Sequence, residues 1–156
     1  MKIRVVSKRE EIPFVDPKEI IVHLAFRPKN EDILNLVKAC PKIEAIQVPA
    51  SYIGSVSKSI KVFLDMERIQ LIEGTVWGHR TDRCDSYTIP LSLTTRITEM
   101  RVDGVVSKTI EERIVQEFKI DAGMVGFIME SLPTTRHGSV KEEGSSYALD
   151  MRSSLK

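Results

Sequence analysis

The stretch TVWGHRTDRCDSY, residues 75 to 87, gathers side chains that can do chemistry. It holds the single tryptophan, Trp77, and one of three histidines, His79. Arg80, Asp82, Arg83, Cys84 and Asp85 come within the next six residues. An imidazole near neutral pKa serves as acid, base or donor. An arginine fork grips a carboxylate or phosphate through two parallel hydrogen bonds, and an indole offers a stacking face. Three other polar stretches succeed apolar runs in the same way: Ser7-Lys8-Arg9, Arg27-Pro28-Lys29-Asn30 and Pro49-Ala50-Ser51-Tyr52. Taken together they nominate an anion pocket. Arg27 and Arg80 hold the charge, Ser51 and Tyr52 donate hydrogen bonds, His79 acts as acid, base or donor, and Trp77 stacks.

Other chemistries find less. His79, Asp82, Cys84 and Asp85 have metal-binding atoms but no recognised ligand spacing, so no metal is assigned. No G-x-S-x-G is present, and Ser51 has no base near it in sequence. The pairs Glu10-Glu11 and Glu111-Glu112 read as charge at helix N-termini rather than as an acid and a base. His23 falls inside an apolar run and reads as a hydrogen-bonded sheet residue, and His137 falls in the C-terminal tail. No motif specifies a cofactor, and whether the chain is an enzyme is left open.

The elements that must position these residues show as an internal repeat. Ile21-x-x-Leu24-x-Phe26 recurs as Ile43-x-x-Ile46-x-Val48 and again as Met66-x-x-Ile69-x-Leu71, 22 and then 23 residues on. Between them Ile33, Val37 and Cys40 are matched by Val56, Ile60 and Phe63, one face of a helix in each case. Apolar strands separated by helices imply a parallel sheet covered by helices. Strands are expected near 2–6, 20–26, 43–48 and 68–76, joined by right-handed crossovers. A leucine-rich solenoid has a similar period, but Ser51 and Gly74 stand where that repeat wants Asn. The fold class is therefore α/β, a small open parallel sheet of about four strands. In such sheets ligands bind beyond the carboxyl ends of the strands, where the polar stretches lie.

After Pro90 the pattern turns helical. Helices are expected over Leu91–Val102, over Ser107–Phe118 with Ser107 as its cap, and from the cap Asp121 to about Glu130. The organisation is thus an α/β domain over 1–90, a three-helix extension over 91–132 and a Ser-, Gly- and charge-rich tail over 133–156, read as disordered. The second and third helices resemble a helix-turn-helix, with Lys119 where that turn usually has Gly. Yet the third carries no Lys, Arg, Asn or Gln, and residues 91–131 hold five cations against seven anions. That balance opposes phosphate binding, so packing or a homodimer through the extension is the favoured role, with a nucleic-acid-binding regulator as the alternative and a protein-interaction module as a third reading.

Across its 156 residues the chain is 42% hydrophobic and 29% charged with a net charge of +1, so no overall field draws it to nucleic acid or membrane. No signal or transmembrane run is visible, which points to a cytoplasmic protein. Cys40 and Cys84 are too few for a disulfide framework, and Cys40 falls on an apolar helix face as a packing residue.

The segments IVHLAFRP, ACPKIEAIQVP and QLIEG-x-VWGHR resemble a family of small uncharacterised archaeal proteins, mainly of methanogens, described as a domain of unknown function. The likeness covers residues 1–130. It implies an archaeal cytoplasmic setting and supplies no activity, cofactor or catalytic residue. ACPKIEAIQVPASYIGSV is also similar to a strand-loop segment of the flavodoxin-like domain in D-2-hydroxyacid dehydrogenases. Those enzymes need a second, dinucleotide-binding domain, whose G-x-G-x-x-G is absent here, so that likeness bears on fold alone.

Overall fold

Short runs rich in Ile, Val and Leu favour extended backbone and burial on both faces. In the computed structural model, which describes residues 1–76 and 86–134, four such runs form β1 (Lys2–Val6), β2 (Ile21–Leu24), β3 (Ala45–Val48) and β4 (Gln70–Glu73). All four are parallel, and they stand in the spatial order β4-β3-β2-β1. A fifth strand, β5 (Ser86–Thr88), adds antiparallel to β1. Between the parallel strands come a 3-10 turn (Arg9–Phe14), α1 (Asn30–Ala39), the one-turn α2 (Ala50–Ile53) and α3 (Lys58–Met66). Beyond β5 come α4 (Leu91–Val102), α5 (Ser107–Phe118) and α6 (Ala122–Ser131).

Each parallel strand is added on the same side of the one before it. Connections of one hand then all pass over one face of the sheet. On that face Val22, Leu24, Ile46 and Val48 pack against Ile33 and Leu36 of α1 and Ile60 and Leu64 of α3. The opposite face has no crossover, yet alternation places Ile3, Ile21, Ala45 and Ile72 on it. The C-terminal helices cover these residues with Leu93 and Ile97 of α4, Ile110 and Ile114 of α5, and Met124, Val125 and Ile128 of α6. The sheet is therefore the middle of three layers.

Helix α6 lies close along the edge strand β4. Gln70 Nε2 donates to Glu130 Oε2 at 2.7 Å, and the Thr75 N–H donates to Asp121 Oδ2 at 2.7 Å. Two glycines permit this approach. A Cβ on Gly123 would stand 2.9 Å from Ile72 Cγ2, and one on Gly74 would stand 2.7 to 2.8 Å from Asp121 side-chain atoms. Gly74 also has φ of 157°, outside the range L side chains readily adopt. Two further ties bind α4 to its neighbours. Arg101 Nη2 donates to the Met129 carbonyl near the end of α6, and Arg96 pairs with Glu117 of α5 at 3.5 Å.

Several local details depart from the pattern read in the sequence. Ile46 sits beside Val22 and Leu71, not beside the repeat-matched Leu24 and Ile69. Both shifts are of two residues, a full pleat, so each side chain keeps its face. β5 carries too short an apolar run to announce itself. Ser107 is the first residue of α5, with Val106 before it in the capping position; Asp121 stands at the N-cap of α6 as expected, but its side chain accepts from the Thr75 N–H past β4 rather than from its own helix. Lys119 takes the left-handed conformation, φ 56° and ψ 39°, at the end of α5. The expected tail lies, from residue 135 on, outside the described residues.

Gly74→Ala should destabilise the chain by about 1–3 kcal/mol, because Asp121 and the first turn of α6 must shift. Gly54, with φ of −67° and nothing within 4 Å of an added Cβ, gives the contrasting case. Gly54→Ala should be neutral or stabilising by up to about 1 kcal/mol. Denaturant titration of both variants checks the pair.

Candidate functional site

Because β1 to β4 run parallel in consecutive order, their carboxyl ends form one rim, and the loops leaving them stand side by side. α1 and α3 both begin at this rim. They are joined there by Ser57 Oγ, which donates to Asn30 Oδ1 at 3.1 Å and accepts from the Ile60 N–H to cap α3. Free N–H groups at such helix starts carry partial positive charge toward the loops.

The start of α1 carries its own anion. Asp32 is 3% exposed. Its Oδ2 accepts from the Lys29 N–H at 2.7 Å, and its Oδ1 accepts from Arg9 Nε at 2.7 Å. The Arg9 guanidinium also lies over the Phe26 ring, 5.7 Å from the centroid. The hydrogen bond to Asp32 raises the Arg9 pKa further, so this cation stays charged and committed. α3 differs: its first turn contains Lys58 and no acidic residue.

Of the residues nominated for the pocket, Arg27 is exposed on the loop after β2 and has no hydrogen-bond or ion-pair partner among the described residues. Ser51 is exposed on α2, directly after β3, and Tyr52 is partly buried with its ring against the core beneath. The three residues follow the carboxyl ends of two neighbouring strands, β2 and β3. Trp77, His79 and Arg80 lie outside the described residues, as do Asp82, Cys84, Asp85 and His137. Among the described residues no three His, Cys, Asp or Glu gather as a metal site requires.

Two polar features went unnoticed in the sequence. Arg9 and Asp32 are 23 residues apart and carry no joint signal, although Asp32 three residues after Lys29 has the spacing of a helix-start acceptor. Gln47 interrupts an otherwise apolar strand opposite His23. His23 Nδ1 and Gln47 Oε1 are 2.9 Å apart, a bond that places the proton on Nδ1. Both are buried, on the face covered by α4 to α6. Gln47 lines a small cavity of about 30 Å³ with Thr75, Tyr87 and Met124, enough for one water.

The outer helices offer less to a polar ligand. Met124, Val125, Phe127, Ile128 and Met129 of α6 are buried, leaving Ala122, Gly123, Glu130 and Ser131 to solvent. No described helix is long and apolar enough to cross a membrane.

Cys40 closes α1 and is fully buried, its Sγ 3.5 Å from the Asp16 carbonyl. Burial, then the charges of Glu19 and Asp16, push its thiol from 9.0 up to about 11. The folded chain holds this proton more tightly than the unfolded chain. The resulting stability is complete below pH 9 and declines as pH rises through about 11. In a Cys84→Ser background, a thiol reagent at pH 8 should label native Cys40 about a hundredfold more slowly than in denaturant. Equal rates would contradict the buried position.

No curated protein and no solved structure matches the chain at a significant level. Residues 2–85, which carry the four parallel strands and the segments that follow each of them, match the family of unknown function DUF1699 over its N-terminal domain, and the chain belongs to that family.

Proposed function

We propose that the chain binds a small anionic molecule at the carboxyl rim of the sheet, over the loops that leave β2 and β3. Arg27 supplies the charge, Ser51 a hydroxyl donor and Tyr52 a phenol held by its packed ring. The proposal also assigns the ligand a stacking face from Trp77, an imidazole from His79 and a second guanidinium from Arg80, which follow β4 in the sequence. The observation that carries this reading is the unequal fate of two arginines on one rim: Asp32 occupies Arg9, whereas Arg27 is left uncommitted among the described residues. The acid-free start of α3 adds favourable potential there. An archaeal, cytoplasmic setting belongs to the same proposal. A nucleic-acid role for α5 and α6 draws little support, because the apolar side of α6 is spent on the sheet and its solvent side has no cation.

A thermal-shift series with inorganic phosphate, nucleoside phosphates and small carboxylates, at constant ionic strength, tests the proposal. At least one class should raise the Tm in a saturable way. Arg27→Ala should weaken that ligand about tenfold or more, equivalent to about 1.4 kcal/mol. Absence of any response, or an unchanged response in both Arg27→Ala and Ser51→Ala, would refute it.

A further inference from the structure

We infer that His23 and Gln47 form a register lock between β2 and β3. The hydrophobic pattern of these two strands is satisfied by two pairings. One is the repeat-matched pairing, with Leu24 beside Ile46 and Phe26 beside Val48. The other is the pairing the chain adopts, with Val22 beside Ile46 and His23 beside Gln47. They differ by two residues, so every side chain faces the same layer in both. Apolar burial separates them poorly, and something else must choose.

The polar pair makes that choice. His23 is 5% and Gln47 1% exposed, and Gln47 is set among Ile3, Phe118, Ile120 and Met124. Among the described residues the Gln47 side chain has one hydrogen bond, accepted by its Oε1 from His23 Nδ1 at 2.9 Å. In the repeat-matched pairing His23 would stand beside Ala45 and Gln47 beside Ala25, neither of which has a polar side chain. The two polar groups would lie a pleat apart, about 7 Å along the strands. Gln47 would then be buried without its partner, which lowers a folding equilibrium about five- to a hundredfold. The opposite slip would set Pro49 beside His23, where it has no N–H for the ladder. A buried polar group that finds its partner in one register alone specifies that register.

The lock also levels the rim. Arg27 lies four residues past His23, and Ser51 lies four past Gln47. A slip of one pleat would shift the start of one loop about 7 Å against the other. His23 and Gln47 are thus positioning residues for the anion site. That consequence rests on the function proposed above; the lock itself does not.

NMR spectroscopy of the full chain without ligand, together with denaturant titration, tests the lock. The wild type should give one set of β2 and β3 signals, with a contact between Val22 and Ile46. His23→Leu and Gln47→Leu should each lower the folding equilibrium about tenfold or more, since each leaves a buried polar group without this bond. The double variant His23→Leu/Gln47→Leu leaves no such group, so it should be more stable than either single variant. It should also show a second set of signals, with a contact between Leu24 and Ile46. Should neither single variant fold, the double variant carries the test alone. A double variant with one set of signals and the Val22–Ile46 contact alone would overturn the inference, as would single variants of wild-type stability. A chain that binds no anion would refute the proposed function and not the lock, because the register is read without ligand.

Discussion

The architecture depends on one constraint: every parallel strand is added on the same side of its predecessor. With connections of one hand, the 3-10 turn, α1, α2 and α3 must all lie on one face of the sheet. Strands of this kind are apolar on both faces, so the other face would meet water unless something else covers it. Burying an Ile side chain is worth about 1.5–3 kcal/mol. Ile3, Ile21 and Ile72 all stand on the face without crossovers. The C-terminal helices answer this need, and their own apolar residues are buried in return.

The same strand order builds the rim. Two carboxylates fasten it. Asp32 draws Arg9 and the Lys29 N–H together at the start of α1, and Asp121 draws the Thr75 N–H to the start of α6. Each anion accepts from groups that would otherwise be unsatisfied at a helix start or a loop. Between these two fastened ends lie the loops carrying the exposed Arg27 and Ser51.

Much of this was legible in the chain itself. The apolar runs and their near-even spacing announced the parallel strands, and Leu91–Val102 and Ser107–Phe118 were readable as helices from their ends. What the repeat did not carry was register, since matching hydrophobic positions fixes the face of a strand and leaves a slip of one pleat undetected. Asp121 was readable as the N-cap position of α6, but its side-chain bond to Thr75 spans 46 residues and has no local trace. β5 was hidden because three residues, Ser86 to Thr88, cannot show alternation. At the rim, Arg27, Ser51 and Tyr52 were legible because each stands just past an apolar run that reads as a strand. The commitment of Arg9 was not, because burial of Asp32 is decided by packing between elements.

The central claim is that the sheet is stable only when α4, α5 and α6 cover its second face. A chain ended after Pro90 tests it most directly, by thermal unfolding and by binding of a dye that reports exposed apolar surface. The account predicts no cooperative transition and strong dye binding, since Ile3, Ile21, Ala45 and Ile72 would be open to water. A sharp two-state transition with a native-like near-ultraviolet spectrum and no dye binding would contradict it.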